Sequence, residues 1–221
     1  MKHWKLYSLI LACAIFAGCT KSARSISHSG YRQDARELAA RTVALFARSE
    51  HVVVPSGSCA WMLKSEYPGL LASDAALRGE AERLAARTWE LSQFLVQVLG
   101  VTDVDSPFAG RVTYHDSCHL LRGLGESRAP RTLLSHVKGV ELVELPGADE
   151  CCGFGGSFSV RLPEVSAAIL AKKLDNVERT GVDCVVACDG GCLMQMAGGL
   201  SRRRSRVRPL HLAQVLAGDP A

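Results

Sequence analysis

Cys184-Val185-Val186-Ala187-Cys188-Asp189-Gly190-Gly191-Cys192 decides the fold of this chain. Residues 184–187 form a short apolar run that reads as a strand. Residues 188–192 read as a turn just beyond its end. The segment before it, residues 162–180, carries apolar residues at helical spacing. Helix, short strand and turn in succession are what a parallel α/β sheet is built from. The same order recurs on both sides of this stretch.

Residues 31–49 place Leu38, Val43, Leu45 and Phe46 among charges, the pattern of an amphipathic helix. His51-Val52-Val53-Val54 is a short buried strand, and Pro55-Ser56-Gly57-Ser58-Cys59 is the turn at its end. A long helix is expected over residues 73–99, opened by a Ser/Asp cap and stopped at Gly100. Arg111-Val112-Thr113-Tyr114 is a strand leading into His115-Asp116-Ser117-Cys118-His119. A helix over 130–137 and a strand over 140–145 precede Cys151-Cys152-Gly153. A last strand over 207–210 and a short helix over 212–216 follow. The alternation predicts an α/β fold with mostly parallel sheets. In such folds ligands gather beyond the carboxyl ends of the strands, where these cysteines fall. An internal repeat supports two related lobes. Residues 52–59 align without gaps to residues 185–192, with two valines, a glycine and a cysteine coinciding.

Composition narrows the chemistry. With 221 residues, 48% hydrophobic and 22% charged, the chain builds a packed core without disulfide staples. Nine cysteines is an odd number, and they cluster at motif-like spacings in the second half. Both facts favour metal binding in a reducing compartment. Part of the net charge of +4 sits in Arg202-Arg203-Arg204, Arg206 and Arg208. No aromatic residue interleaves with that run, so it reads as a solvated face rather than a nucleic-acid patch. There is no Ser-His-Asp arrangement and no Walker loop. Gly153-Phe154-Gly155-Gly156 does not complete a dinucleotide fingerprint, because Phe158 stands three positions beyond Gly155.

The N-terminus points elsewhere. Lys2 and Lys5 precede an apolar stretch, residues 6–18, too short to span a bilayer but suited to a signal-peptide core. It ends in Phe16-Ala17-Gly18-Cys19, which resembles a bacterial lipobox with Cys19 as the lipidated residue. The other readings are a buried helix or a mis-assigned start. Residues 1–27 are set aside from the fold on either reading.

Cys151 and Cys152 are too close to bridge each other: neighbouring Cα atoms lie about 3.8 Å apart, below the usual disulfide range. Two soft thiolates beside small residues suit a polynuclear metal centre. With Cys118, Cys188 and Cys192 they make five thiols at three strand ends, more than one tetrahedral zinc takes. An iron–sulfur cluster uses four or more. Zinc and inert buried thiols are the competing readings. Cys184 belongs to the core, and Cys13 lies in the leader. His115 and His119 flank Cys118, either as ordinary strand-end hydrogen bonders or as donors to cluster sulfurs. Arg122 could do the same or hold a substrate carboxylate.

Four segments carry a family resemblance. They are Val54-Pro55-Ser56-Gly57-Ser58-Cys59; His115-Asp116-Ser117-Cys118-His119 with Arg122; Glu150-Cys151-Cys152-Gly153-Phe154-Gly155-Gly156-Ser157-Phe158; and Gly191-Cys192-Leu193-Met194. They resemble the cysteine-rich CCG domain of the heterodisulfide reductases and of glycolate oxidase iron–sulfur subunits. The similarity is closer to the lactate-utilisation protein A family, from about residue 28 to about residue 216. The resemblance implies paired α/β lobes, a cytoplasmic location, and an iron–sulfur subunit that works with partner subunits to oxidise L-lactate to pyruvate. It implies a cluster, of 4Fe-4S type, on Cys118, Cys151, Cys152 and Cys192, with Cys188 and Cys59 as further candidate metal ligands. The chain departs from the pattern in its first half, where Lys21-Ser22 stands at the place of a Cys-Cys pair and only Cys59 remains. Residues 28–105 are therefore expected to be the remnant of a first lobe and residues 106–221 a complete second one. The alternative is a truncated metal-binding or scaffold relative without catalytic activity, membrane-anchored through Cys19 if the leader is genuine.

Overall fold

The computed structural model describes residues 30–219. The leader of residues 1–27, with Cys13, Cys19 and the Lys21-Ser22 position, lies outside the described residues. The fold is α/β, and every strand pair in it is parallel. The chain divides into two compact units. One comprises the described residues up to Pro55 together with Cys59–Leu91; the other comprises Ser56–Ser58 and everything from Ser92 onward.

The first unit holds helix α1 (Arg32–Leu45), strand β1 (Val52–Val54) and strand β2 (Thr88–Glu90). After β1 the chain turns helical at α2 (Gly57–Trp61) and stays so through Met62–Glu66 and Tyr67–Leu70. Helix α3 (Ala75–Ala86) opens on Asp74, whose carboxylate accepts from the amides of Ala76 and Leu77, the expected cap. The expected single helix over 73–99 is broken. Thr88-Trp89-Glu90 forms β2, in register with Val52-Val53-Val54, and helix resumes at Leu91–Gln93 and Phe94–Val98. Strand pairing overrides the helical spacing there because β1 offers an otherwise unpaired edge. Thr88 and Glu90 are fully buried in it.

The second unit is built on a four-stranded sheet. Strand β3 (Pro107–Tyr114) is followed by helix α4 (Arg128–His136), strand β4 (Lys138–Leu142), the short helix α5 (Ser157–Arg161) and helix α6 (Pro163–Arg179). Strand β5 (Cys184–Ala187), helix α7 (Gly190–Arg202), strand β6 (Arg208–His211) and helix α8 (Leu212–Leu216) complete it. The order across the sheet is β4-β3-β5-β6. Strand β5 is buried along its whole length, as its apolar run requires. Leu170, Leu174, Val177, Val185, Ala187, Met196 and Leu200 form a core with Cys152 in its midst.

This order places a switch point between β3 and β5. The chain leaves β3 toward β4 on one side and later returns to pair β5 on the other. Crossovers that diverge in this way open a crevice at the carboxyl ends of the two central strands. Helix α7 was not anticipated, because residues 188–192, with Gly190-Gly191, read as a turn. The glycines serve packing. A Cβ on Gly191 would lie 2.6 Å from the Phe154 ring, and one on Gly199 would lie 2.5 Å from Leu174. The repeated segments fold alike: each strand is followed by a helix that starts at the aligned glycine, Gly57 or Gly190.

Candidate metal centre

Three loops at the carboxyl ends of β3, β4 and β5 supply the site. His115 leaves β3 with its amide on the Val186 carbonyl at 2.9 Å, so the first loop starts locked to β5. The Asp116 amide donates to the Ala148 carbonyl at 3.1 Å, joining this loop to the one after β4. Arg122 donates to the Asp149 carbonyl at 3.2 Å, a second tie between the same loops. Cys118 begins the turn His119–Gly123, and its side chain is half-buried.

Cys151 is exposed and Cys152 is buried. The amide of Gly153 donates to the Cys151 sulfur at 3.3 Å. Gly153 has a φ of +86, and a Cβ there would stand 2.5 Å from the Ser166 carbonyl oxygen. Only glycine fits on both counts. Its own carbonyl accepts from the Ser166 hydroxyl at 2.8 Å, and Gln195 donates to that hydroxyl at 3.0 Å. The Cys-Cys-Gly loop is thereby clamped between α6 and α7, which holds Cys152 inward.

Cys192 sits in the first turn of α7. That end of the helix is fixed by Asp189, whose carboxylate accepts from the Ser56 hydroxyl at 3.0 Å, the Ser58 amide at 3.0 Å and the Ser58 hydroxyl at 2.6 Å. Gly57, between those serines, lies so close to Leu120 that a Cβ would stand 2.6 Å from its Cβ. Ser56-Gly57-Ser58, which packs as part of the second unit, thus touches the Cys118 turn on one side and the Cys192 turn on the other.

The four thiols act on one another, Cys118 on Cys151 and Cys152 on both Cys151 and Cys192, and this interaction splits their acidities. The interaction with Cys118, with that of Cys152, pulls Cys151 far below the ordinary thiol value, to about 2. The interaction with Cys152, helped by His115, pulls Cys192 down to about 6. The same interactions, followed by burial, push Cys118 and Cys152 up.

His115, Cys152 and Cys192 place their ligand atoms within 4.8 Å of one another and could hold a metal ion. The imidazole of His115 is fully buried, its ring nitrogens make no well-formed hydrogen bond, and it helps to pull down the Cys192 thiol beside it. The Ser117 hydroxyl is buried without a partner as well. Buried polar atoms are normally satisfied, so two such residues beside the thiols mark a place for a bound group.

The other candidate residues are not among these three clustered ligands. Cys188 is fully buried at the end of β5, accepts from the Tyr114 hydroxyl at 3.3 Å, and is not one of the three clustered ligands. Cys59 lies in the first unit, on α2. Cys184 is buried in β5, as expected of a core thiol. Sequence reasoning missed Asp189, Lys173 and the Arg131–Asp116 pair. Asp189 alone carried a signal, as a buried acid next to a candidate cysteine.

The Cysteine-rich domain family matches residues 112–197, which span the end of β3, all three loops and the first half of α7. Lactate utilization protein A of Geobacillus thermodenitrificans is 48% identical over 189 residues, covering 86% of this chain and 79% of that protein. The protein of the same name from Bacillus subtilis is 44% identical over the same shares. That of Lysinibacillus sphaericus is 42% identical over 86% of this chain and 82% of its own length. With relatives this similar along most of both lengths, the chain belongs to the lactate utilization protein A family.

Proposed function

We propose that the chain is the iron–sulfur subunit of a lactate-utilisation system and acts in the cytoplasm with partner subunits to oxidise L-lactate to pyruvate. The observation that supports this reading is the interaction of four thiols, Cys118, Cys151, Cys152 and Cys192, of which Cys152 and Cys192 hold their ligand atoms within 4.8 Å of the buried His115. The donor set fits such a group: soft sulfur ligands suit iron and sulfide, and a buried histidine can ligate or donate to sulfur. When bound, a cluster of the 4Fe-4S type would supply one-electron transfer. Cys118, Cys151, Cys152 and Cys192 would hold it, with His115 turned toward the same point. Cys188 and Cys59 are further candidates, which the clustering of ligand atoms does not favour. The clamp on Gly153 keeps Cys152 buried, and the exposure of Cys151 leaves an edge open to a partner. Among the described residues no helix is long and apolar enough to cross a membrane.

Lactate comes from the names of the relatives. The test is lactate-dependent reduction of an electron-accepting dye by the complex isolated through a tagged chain. Cys152→Ser should lower it at least about 100-fold, since loss of even an outer-shell partner of a metal ligand costs up to about that much. An unchanged rate with the variant folded and present would contradict the reading. A second reading has its own support: His115, Cys152 and Cys192 make a three-ligand set of the type that holds a single zinc with an open position.

A further inference from the structure

Lys173 lies within α6 with no exposed surface. Its Nζ donates to the carbonyl oxygen of Gly147 and, at 3.4 Å, to that of Ala148. Both oxygens are shared: Gly147 also accepts from the Glu150 amide at 3.0 Å, and Ala148 from the Asp116 amide at 3.1 Å. Two shared carbonyls are poor compensation for a buried ammonium. Leu170, Leu174 and Val177, its neighbours along the helix, belong to the apolar core around Cys152, where a leucine or methionine would sit without that cost.

The missing compensation is anionic. Burial pushes the Lys173 pKa down, and the groups that pull it back are Glu150, Cys152, Asp149 and Cys118. Glu150 is already paired with Lys172 at 2.7 Å, on the outer side of the turn. The thiols remain. Cys118 and Cys152 are two of the four candidate ligands of the site. Metal ligation requires both as thiolates.

We propose that Lys173 is the built-in counter-cation of the thiolate centre, a positioning residue that holds the turn before Cys151 against the Asp116 loop while its charge offsets the negative charge gathered on the four thiols. The proposal rests on the site being a metal centre. A fixed positive charge favours the more negative, reduced state of whatever the thiols hold. Removing it lowers the reduction potential.

The test compares wild type with Lys173→Gln, which can still donate to the carbonyls but carries no charge, and with Lys173→Met. Each is reconstituted anaerobically, its iron counted, and its potential read by a redox titration followed by electron paramagnetic resonance. At equal iron content both variants should show at least a tenfold lower reduced-to-oxidised ratio at a given potential, a shift of about 59 mV for one electron. A fully loaded Lys173→Gln at the wild-type potential overturns the proposal. If the variants load poorly, the metal-free proteins decide. Native circular dichroism with at least tenfold weaker metal affinity in chelator competition supports it. Loss of the native spectrum in both metal-free variants overturns it, since the lysine would then serve the fold itself. A wild type that takes up no iron overturns the metal-centre reading and this inference together, an outcome separate from a loaded wild type matched by its variants.

Discussion

Adjacent cysteines with opposite acidities are the signature of this site at the scale of single residues. Cys151 and Cys192 are pulled toward the thiolate, while Cys118 and Cys152 are pushed toward the protonated thiol by their mutual interactions and by burial. Metal must displace the protons on the second pair. Uptake should therefore release about two protons per chain, and affinity should rise as pH rises. Calorimetry in buffers of different ionisation enthalpy reads the proton count; metal binding without proton release would contradict the assignment. The thiols were legible in the sequence because cysteine chemistry and spacing announce themselves. Lys173 was not: Lys172-Lys173 reads as the polar face of an amphipathic helix, yet Lys172 is on the surface and Lys173 is buried. The direction of one side chain, set by how α6 seats on the sheet, separates them.

At the scale of elements, the loop that carries His115 and Cys118 is held by α4. Arg131 grips Asp116 with two bonds, 2.8 and 2.9 Å, reaches Glu144 at 3.0 Å and lies over the Tyr114 ring at 5.2 Å. Those bonds, to Asp116 first, raise the pKa of the guanidinium. Asp116 is almost wholly buried, so Arg131→Met would strand its charge. We expect a loss of about 3–5 kcal/mol in denaturant unfolding; a loss under about 1 kcal/mol, the size of a surface pair, would show that the pair does not hold the loop. The pair could not be read from sequence, since its partners are fifteen positions apart on different elements. Strand β5 and helix α8 were legible to the residue, because apolar runs and short caps are local signals. Strand β2 was hidden inside a helical pattern because only its partner β1 makes it a strand. Helix α7 was hidden by glycines whose reason is contact with Phe154 and Leu174.

For the whole molecule, parallel strands in the order β4-β3-β5-β6 put three cysteine-bearing loops on one edge of a sheet. The alternation in the sequence predicted the class and the edge; the strand order, and hence which two loops flank the crevice, required the structure. The fold supplies convergence, and the tie of Ser56-Gly57-Ser58 to Asp189 and Leu120 keeps the first and third loops in place. The central claim is that this edge assembles a polynuclear iron–sulfur centre on Cys118, Cys151, Cys152 and Cys192. Its most direct test is iron, sulfide and zinc analysis of the anaerobically reconstituted chain beside Cys152→Ser. The account predicts about four irons with matching sulfide per chain, lost in the variant. Fewer than about two irons, zinc without sulfide, or an undiminished cluster in Cys152→Ser would contradict it.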